Sequence, residues 1–167
     1  MSKVTGREML DELNRETRLM TTFSALYGQA VAEQLGIGHT DMESLDFLNL
    51  FGPMTAGRLS ELTGLSSGAT TRLIDRLEGA GYVRRTRDPN DRRRVIIEPV
   101  AEKGPGVFRY FAPIGMRMSE LWRRYEPEQI ELIVDYLRRS NAIMAEENAR
   151  IRREAETAAA DASAAAG

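Results

Sequence analysis

The apolar residues near the start of the chain recur at helical spacing. Between Arg7 and Leu35 they are separated by three, four or seven residues: Leu10, Leu13, Met20, Phe23, Tyr27 and Val31. This spacing predicts one long helix, which Gly36 and Gly38 would end. A second helix is predicted from about Asp41 to Phe51, because Thr40 and Glu43 have the spacing of a capping box.

A long helical pattern resumes near Ala101 and continues beyond position 150. Pro113 and Gly115 lie inside it and should kink or loosen it, and Pro127 suits the first turn of a last helix. That helix has a seam of apolar residues seven apart, suited to packing against another helix: Leu137, Met144 and Ile151. The Ala-rich segment 154–167 has no apolar periodicity, and we expect it to form a disordered tail.

The central residues predict shorter elements. Thr55 should cap a short helix, Thr63-Gly64-Leu65 should form a tight turn, and Ser66 should cap a helix that ends at Gly79-Ala80-Gly81. Two strands, 82–87 and 95–99, follow. The residues between them include Asp88-Pro89-Asn90-Asp91, which has the chemistry of a turn.

The length of 167 residues suggests one domain. We divide it into a helical region, 7–52 and 101–153, and a central lobe, 54–100. The terminal helices are too long and too apolar to be covered by the central lobe. We therefore predict a two-fold homodimer built from them.

Composition excludes several classes of site. There is no Cys and a single His, His39, so disulfides, thiol redox chemistry and Cys-based zinc sites are ruled out. No constellation of catalytic residues stands out, so we predict no enzyme activity, no metal and no cofactor. No apolar run approaches the length of a membrane span, and the first residues do not resemble a signal peptide. We expect a cytoplasmic protein without a membrane partner.

The charge is unevenly distributed. The whole chain has a formal net charge of −2. Residues 54–100 carry nine Lys and Arg against six Asp and Glu, net +3, while the remainder carries fourteen against nineteen, net −5. A basic lobe on an acidic frame is consistent with binding to nucleic acid.

Four motifs follow one another at the centre of the chain: TAGRLSELTGLS (55–66), TRLIDRLE (71–78), GYV (81–83) and DPNDRR (88–93), with Lys103-Gly104 opening the next helix. This combination resembles the MarR family of winged helix-turn-helix transcriptional regulators. Outside 55–104 only the layout of helices matches. The resemblance implies a mainly α fold with a small β-hairpin wing, in which a winged helix-turn-helix core is flanked by long dimerisation helices. It also implies a regulator, expected to be a repressor, that binds a pseudo-palindromic DNA operator as a homodimer.

The start of the 66–78 helix is the candidate for reading the major groove. Its small and hydroxylated residues would let the helix end approach DNA closely: Ser66, Ser67, Gly68, Ala69, Thr70 and Thr71. Arg72 would reach a base edge or a phosphate, and Arg76, one turn further along, a phosphate. We assign Thr55 to the same DNA-binding set. The competing interpretation is that the Ser and Thr residues only cap the helix.

The hairpin tip is the second candidate. Six Arg lie within residues 84–94, and an Arg on a narrow tip suits insertion into the minor groove. We assign four of them to DNA binding: Arg87, Arg92, Arg93 and Arg94. The resemblance implies an Asp-x-Arg signature that Asp91-Arg92-Arg93 matches, so Arg93 would insert and Asp91 would brace the wing. Arg92 would contact a phosphate or act as a second brace. Alternatively, the Arg run only keeps the hairpin soluble.

The resemblance also implies a small aromatic or phenolic effector that lowers DNA affinity. The candidate lining is Phe23, Tyr27, His39, Phe47, Phe51, Tyr110 and Phe111, although all of these could be core residues. The absence of Cys excludes sensing by thiol oxidation. A different class of function stays open: a winged-helix module that binds another protein and not specific DNA.

Overall fold

The computed structural model describes residues 5–89 and 91–165. Six helices account for most of them: α1 Gly6–Leu35, α2 His39–Phe51, α3 Ala56–Thr63, α4 Ser67–Gly79, α5 Gly104–Trp122 and α6 Pro127–Ala165. Three short strands are β1 Met54–Thr55, β2 Val83–Arg87 and β3 Val95–Pro99, and a 3-10 turn covers Ala101–Lys103. The mainly α fold with a β-hairpin wing is confirmed. The chain divides into two compact units that meet at positions 107 and 108, and each is described by itself.

The first helix begins one residue earlier than its apolar pattern predicts, because a capping box precedes it. The Thr5 hydroxyl accepts the N–H of Glu8 at 3.3 Å, and the Glu8 carboxylate accepts the N–H of Thr5 at 2.7 Å. These hydrogen bonds hold the pKa of Glu8 below its usual range. The helix ends at Gly36, whose φ of 69° lies in the left-handed region that favours glycine.

The capping box predicted for Thr40 and Glu43 is wrong. Helix α2 begins at His39, and the Asp41 carboxylate accepts the N–H of Gly38 at 3.1 Å. Thr40 is already helical, and its carbonyl accepts the hydroxyl of Ser44. The Asp41 carboxylate also pairs with Arg76 of α4, a contact that local sequence spacing does not show.

The core of the first unit is formed by apolar residues of α2, α3, α4 and the sheet. The most deeply buried are Met42, Leu45, Leu48, Leu59, Leu73, Ile74, Leu77, Val83 and Ile97. From α1, Val31 and Ala32 are also buried. Full burial of each large apolar side chain contributes about 1.5–3 kcal/mol to stability. This core holds the helix-turn-helix and the hairpin as one lobe.

The sheet has the strand order β1-β3-β2, and both pairings are antiparallel. In the hairpin, β2 and β3 pair from Val83 with Pro99 to Arg87 with Val95. The predicted hairpin is therefore confirmed, with β2 starting one residue later than expected. The third strand, β1, was not predicted, because two residues are too few to show an alternating pattern.

The second unit consists of most of α5 and all of α6. Pro113 lies inside α5. Helix α6 continues to Ala165, so residues 154–165 are helical where we expected a disordered tail. Alanine has the highest helix propensity of any residue, and it continues the helix here without an apolar face. Residues 166–167 of the expected tail lie outside the described residues. The predicted seam is solvent-exposed at Leu137, Met144 and Ile151.

Candidate nucleic-acid interface

The helix-turn-helix is built on two side-chain caps. Thr55 accepts the N–H of Arg58 at 3.2 Å at the start of α3, and Ser66 accepts the N–H of Ala69 at 3.3 Å at the start of α4. Between them Gly64 ends α3 with φ of 70°. Both caps were predicted, and they fix where the N-terminus of α4 begins.

The N-terminus of α4 presents a small, polar surface. Ser66, Ser67, Gly68, Thr71 and Arg72 are exposed, and Ala69 is half-buried. Among the described residues, Arg72 has no ion-pair partner. A helix start with short side chains leaves its backbone N–H groups accessible to an anion such as a phosphate.

Thr70 does not belong to this surface. Its side chain is buried, with 1% exposure, and its hydroxyl donates to the Ser66 carbonyl at 3.0 Å. Helical periodicity explains the correction, because positions 70, 73, 74 and 77 share the face that packs on the core. The expectation that Thr70 contacts DNA is therefore wrong.

Arg76 is held by α2. Its guanidinium donates to Asp41 Oδ1 at 2.7 Å and to Asp41 Oδ2 at 3.4 Å, and this pairing raises the pKa of Arg76. The Asp41 side chain is 5% exposed and that of Arg76 is 58% exposed. The ion pair holds α4 on α2, and the phosphate contact assigned to Arg76 stays a prediction.

The tip of the wing is ordered by its acidic residues. Asp91 accepts the N–H of Arg93 on its carboxylate at 3.0 Å and the N–H of Arg94 on its carbonyl at 2.9 Å. The N–H of Asp88 donates to the Arg94 carbonyl at 3.0 Å. Asp91 therefore braces the wing as expected. Asn90, part of the predicted turn, lies outside the described residues.

The Arg residues of the hairpin fall into two groups. Arg87, Arg92 and Arg93 are exposed, and in the described part of the chain they have no ion-pair partner. Arg94 lies 3.9 Å from the Asp88 carboxylate, a weak ion pair. The tip thus offers cationic side chains to an anionic partner.

The remaining two hairpin Arg residues were not singled out from the sequence. Arg84 pairs across the hairpin with Glu98 at 2.6 Å, and Arg85 pairs with Asp75 and Glu78 of α4. These contacts raise the pKa of both guanidinium groups. The only sequence signal for the contacts of Arg85 was the spacing of Asp75 and Glu78, three positions apart in α4. This spacing is equally typical of a solvated helix face.

The candidate effector-lining residues are spread over both units. In the first unit, Phe23 and Phe51 are exposed, Tyr27 is half-buried, and the rings of Phe47 and Phe51 stack with centroids 6.1 Å apart. His39 lies 3.3 Å from the Glu43 carboxylate. In the second unit, Tyr110 accepts a hydrogen bond from Arg109 at 2.6 Å, and Phe111 is half-buried. The effector site stays a prediction.

Within residues 5–89 and 91–165, no three His, Asp or Glu side chains gather closely enough to hold a metal ion. In those same ranges, no helix combines the length and the apolar character needed to cross a bilayer.

Comparison with known proteins gives one consistent family. A family model described as MarR family matches residues 38–95. The HTH-type transcriptional regulator YcgE of Bacillus subtilis is 45% identical over 135 residues, which cover 81% of this chain and 88% of that protein.

Solved structures agree in fold. The transcriptional regulator Tm0710 from Thermotoga maritima superposes with a TM-score of 0.57 at 27% identity, covering 82% of this chain and 96% of that one. A MarR family protein from Bacillus stearothermophilus superposes with a TM-score of 0.61 at 22% identity, covering 84% and 98%.

Proposed function

Because the chain belongs to the MarR family of transcriptional regulators, we propose that it is a cytoplasmic repressor that binds a pseudo-palindromic DNA operator as a homodimer. The observation that carries the proposal is the pairing of two exposed surfaces on one compact lobe. One is the small, polar N-terminus of α4, and the other is the Arg-rich tip of the wing. The net charge of +3 over residues 54–100 supports an anionic partner.

Helix α4 is the recognition helix of this proposal. Ser66, Ser67, Gly68 and Thr71 are short enough for the helix end to enter the major groove. Arg72, directly after Thr71, is exposed and has no ion pair among the described residues, so its guanidinium is available to a guanine edge or a phosphate. A bidentate contact with guanine would discriminate against other bases by about 1–3 kcal/mol.

The wing enters the minor groove in this proposal. The backbone at Arg93 is fixed by the Asp91 carboxylate, and a braced backbone loses less entropy on insertion than a mobile one. The negative potential of a narrow minor groove attracts an Arg. Arg87, Arg92 and Arg94 then contact the flanking phosphates.

A homodimer would bring two such lobes to the operator. Helix α1 carries several exposed large apolar residues, among them Leu10, Leu13, Met20 and Phe23. An exposed stripe of this kind is expected to be buried against a second copy. With two-fold symmetry, the recognition helices would enter successive major grooves about 34 Å apart. A small aromatic effector that changes this spacing would release the operator.

The experiment compares Arg93→Ala with Arg138→Ala, which removes the same charge from α6. Duplexes are first selected from a random pool with the wild-type protein, and affinities are then measured from about 50 to 200 mM salt. We expect Arg93→Ala to weaken binding at least tenfold and to reduce the salt slope, while Arg138→Ala leaves both unchanged. Unaltered affinity and slope for Arg93→Ala would contradict the wing assignment.

A further inference from the structure

Arg85 joins the wing to the recognition helix by three hydrogen bonds. Its guanidinium donates to Asp75 Oδ1 at 2.5 Å and to Glu78 Oε2, and its backbone N–H donates to Glu78 Oε1 at 3.0 Å. The Arg85 side chain is 32% exposed, and those of Asp75 and Glu78 are 57% and 38% exposed. One residue of β2 is therefore tied to the last two turns of α4 through both its side chain and its backbone.

The position of this ion-pair cluster relates it to both DNA-facing elements. Asp75 lies three residues after Arg72, just under one helical turn or about 4.5 Å along α4. Arg87 lies two residues after Arg85 on the same face of β2, about 7 Å towards the tip. The cluster therefore lies between Arg72, which is proposed to enter the major groove, and Arg87, at the start of the wing tip.

The base of the hairpin has its own attachments, which lie further from the tip. The N–H of Tyr82 donates to the Leu77 carbonyl at 2.8 Å, just before β2 begins. Val83 and Ile97 are buried in the core, and β1 pairs with β3. Val83 is the one buried residue of β2, so beyond it the Arg85 cluster attaches the strand to α4.

Arg84 carries the same charge as Arg85 but pairs within the hairpin. Its guanidinium pairs with Glu98 at 2.6 Å, and the two residues are register partners across the hairpin. That ion pair lies wholly within the wing, so it stiffens the hairpin and does not connect it to α4.

We propose that Arg85 is a positioning residue for DNA recognition, which locks the wing to α4 so that Arg93 and Arg72 meet the duplex as one rigid unit. The inference rests on the DNA-binding function proposed above. Two contacts on a rigid body reinforce each other, because the first contact to form places the second. On two mobile elements each contact would contribute separately.

The test is a double-mutant cycle between Arg72→Ala and Arg93→Ala, measured as dissociation constants for a duplex selected by the wild-type protein. The cycle is repeated in the Arg85→Met background, which keeps a long side chain and removes the charge. The matched control background is Arg84→Met, which removes an equal charge from the neighbouring position of β2. A second perturbation, Asp75→Asn with Glu78→Gln, breaks the cluster from the α4 side and leaves Arg85 intact.

Each variant is described by its fold-loss in DNA affinity. In the wild-type and Arg84→Met backgrounds, we expect the product of the fold-losses of Arg72→Ala and Arg93→Ala to exceed the fold-loss of the double variant by about fivefold or more. In the Arg85→Met background, and in the Asp75→Asn, Glu78→Gln protein, the fold-loss of the double variant should equal the product of the two single fold-losses to within twofold. Arg85→Lys should restore part of the coupling, because an ammonium keeps the charge but not the fork of donors. A change in folding alone would alter the amount of active protein and not the ratio within a cycle.

Equal coupling in the Arg85→Met and Arg84→Met backgrounds overturns the proposal. If Arg85→Met does not fold, the same coupling in the Asp75→Asn, Glu78→Gln protein as in the control overturns it equally. Failure of the wild-type protein to select any duplex is a different result, since it overturns the DNA-binding function before the cycle begins.

Discussion

Replacing Asp41 should destabilise the DNA-binding lobe, because its side chain connects the start of α2 with Arg76 of α4. Asp41 has a nearly buried side chain and two partners: it accepts the N–H of Gly38 at 3.1 Å and the guanidinium of Arg76 at 2.7 Å. Asp41→Ala therefore removes a cap at the start of α2 and the ion pair that holds α4 on α2.

The expected magnitude follows from these two contacts. Loss of a side-chain cap typically costs about 1 kcal/mol. The ion pair is worth about 1 kcal/mol at most, because the Arg76 side chain is 58% exposed and its charge is screened by solvent. The free energy of unfolding should fall by about 2 kcal/mol, which lowers the melting temperature by roughly 4–8 °C for a chain of this size.

The assay is urea unfolding followed by far-ultraviolet circular dichroism at one fixed protein concentration, since a dimer's apparent stability depends on concentration. Asp46→Ala, in the same helix, is the control. Burial and the nearby Glu43 raise the pKa of Asp46, so the folded protein holds that proton more tightly than the unfolded chain. The Asp46 charge thus opposes folding at neutral pH, and its removal should change stability by no more than about 0.5 kcal/mol. Equal midpoints for the two variants would refute the role given to Asp41.

Three further predictions concern the core, the cap and the dimer. Thr70→Val should cost about 1 kcal/mol of stability through the lost hydrogen bond to Ser66 and leave DNA affinity within twofold. Thr71→Val should weaken DNA binding about fivefold. Its effect on unfolding should be smaller than that of Thr70→Val, because the exposed Thr71 hydroxyl, which donates to the Ser67 carbonyl at 2.9 Å, is replaced there by water. The reverse pattern would contradict the face assignment. Ser66→Ala should lower the free energy of unfolding by about 1 kcal/mol in the same urea assay, and an unchanged midpoint would mean that this cap is dispensable. Sedimentation velocity should show a particle of twice 18.7 kDa that Leu13→Glu dissociates, and a wild-type monomer at micromolar concentration would refute the dimer.

Local signals in the sequence predicted the caps and turns of the helix-turn-helix well. Thr55, Ser66 and Gly64 occupy the places expected of them, because capping and left-handed turns depend on a few neighbouring residues. The hairpin was equally predictable, since Asp88-Pro89-Asn90-Asp91 between its strands has the chemistry of a turn.

Features that depend on distant residues were beyond the sequence. Asp41, which caps α2 in place of the expected Thr40 arrangement, also pairs with Arg76, thirty-five positions away. Thr70, by contrast, was open to prediction, because its spacing from Leu73, Ile74 and Leu77 places it on the buried face of α4. Arg85 could not be distinguished from the other hairpin Arg residues until its two partners on α4 were known.

The segment after residue 154 was mispredicted for a different reason. The absence of apolar periodicity indicates that a helix has no core to pack on, but it does not prevent an Ala-rich sequence from being helical. The structure continues α6 through these residues to Ala165.

The central claim is that this lobe reads a two-fold DNA sequence through α4 and the wing. Selection of duplexes from a random-sequence pool by the wild-type protein tests it most directly. We expect enrichment of an inverted repeat whose half-site centres lie about 10 base pairs, one helical turn, or a multiple of it apart. We also expect affinity that falls steeply between about 50 and 200 mM salt. Recovery of a pool with no enriched sequence at low salt would contradict the claim.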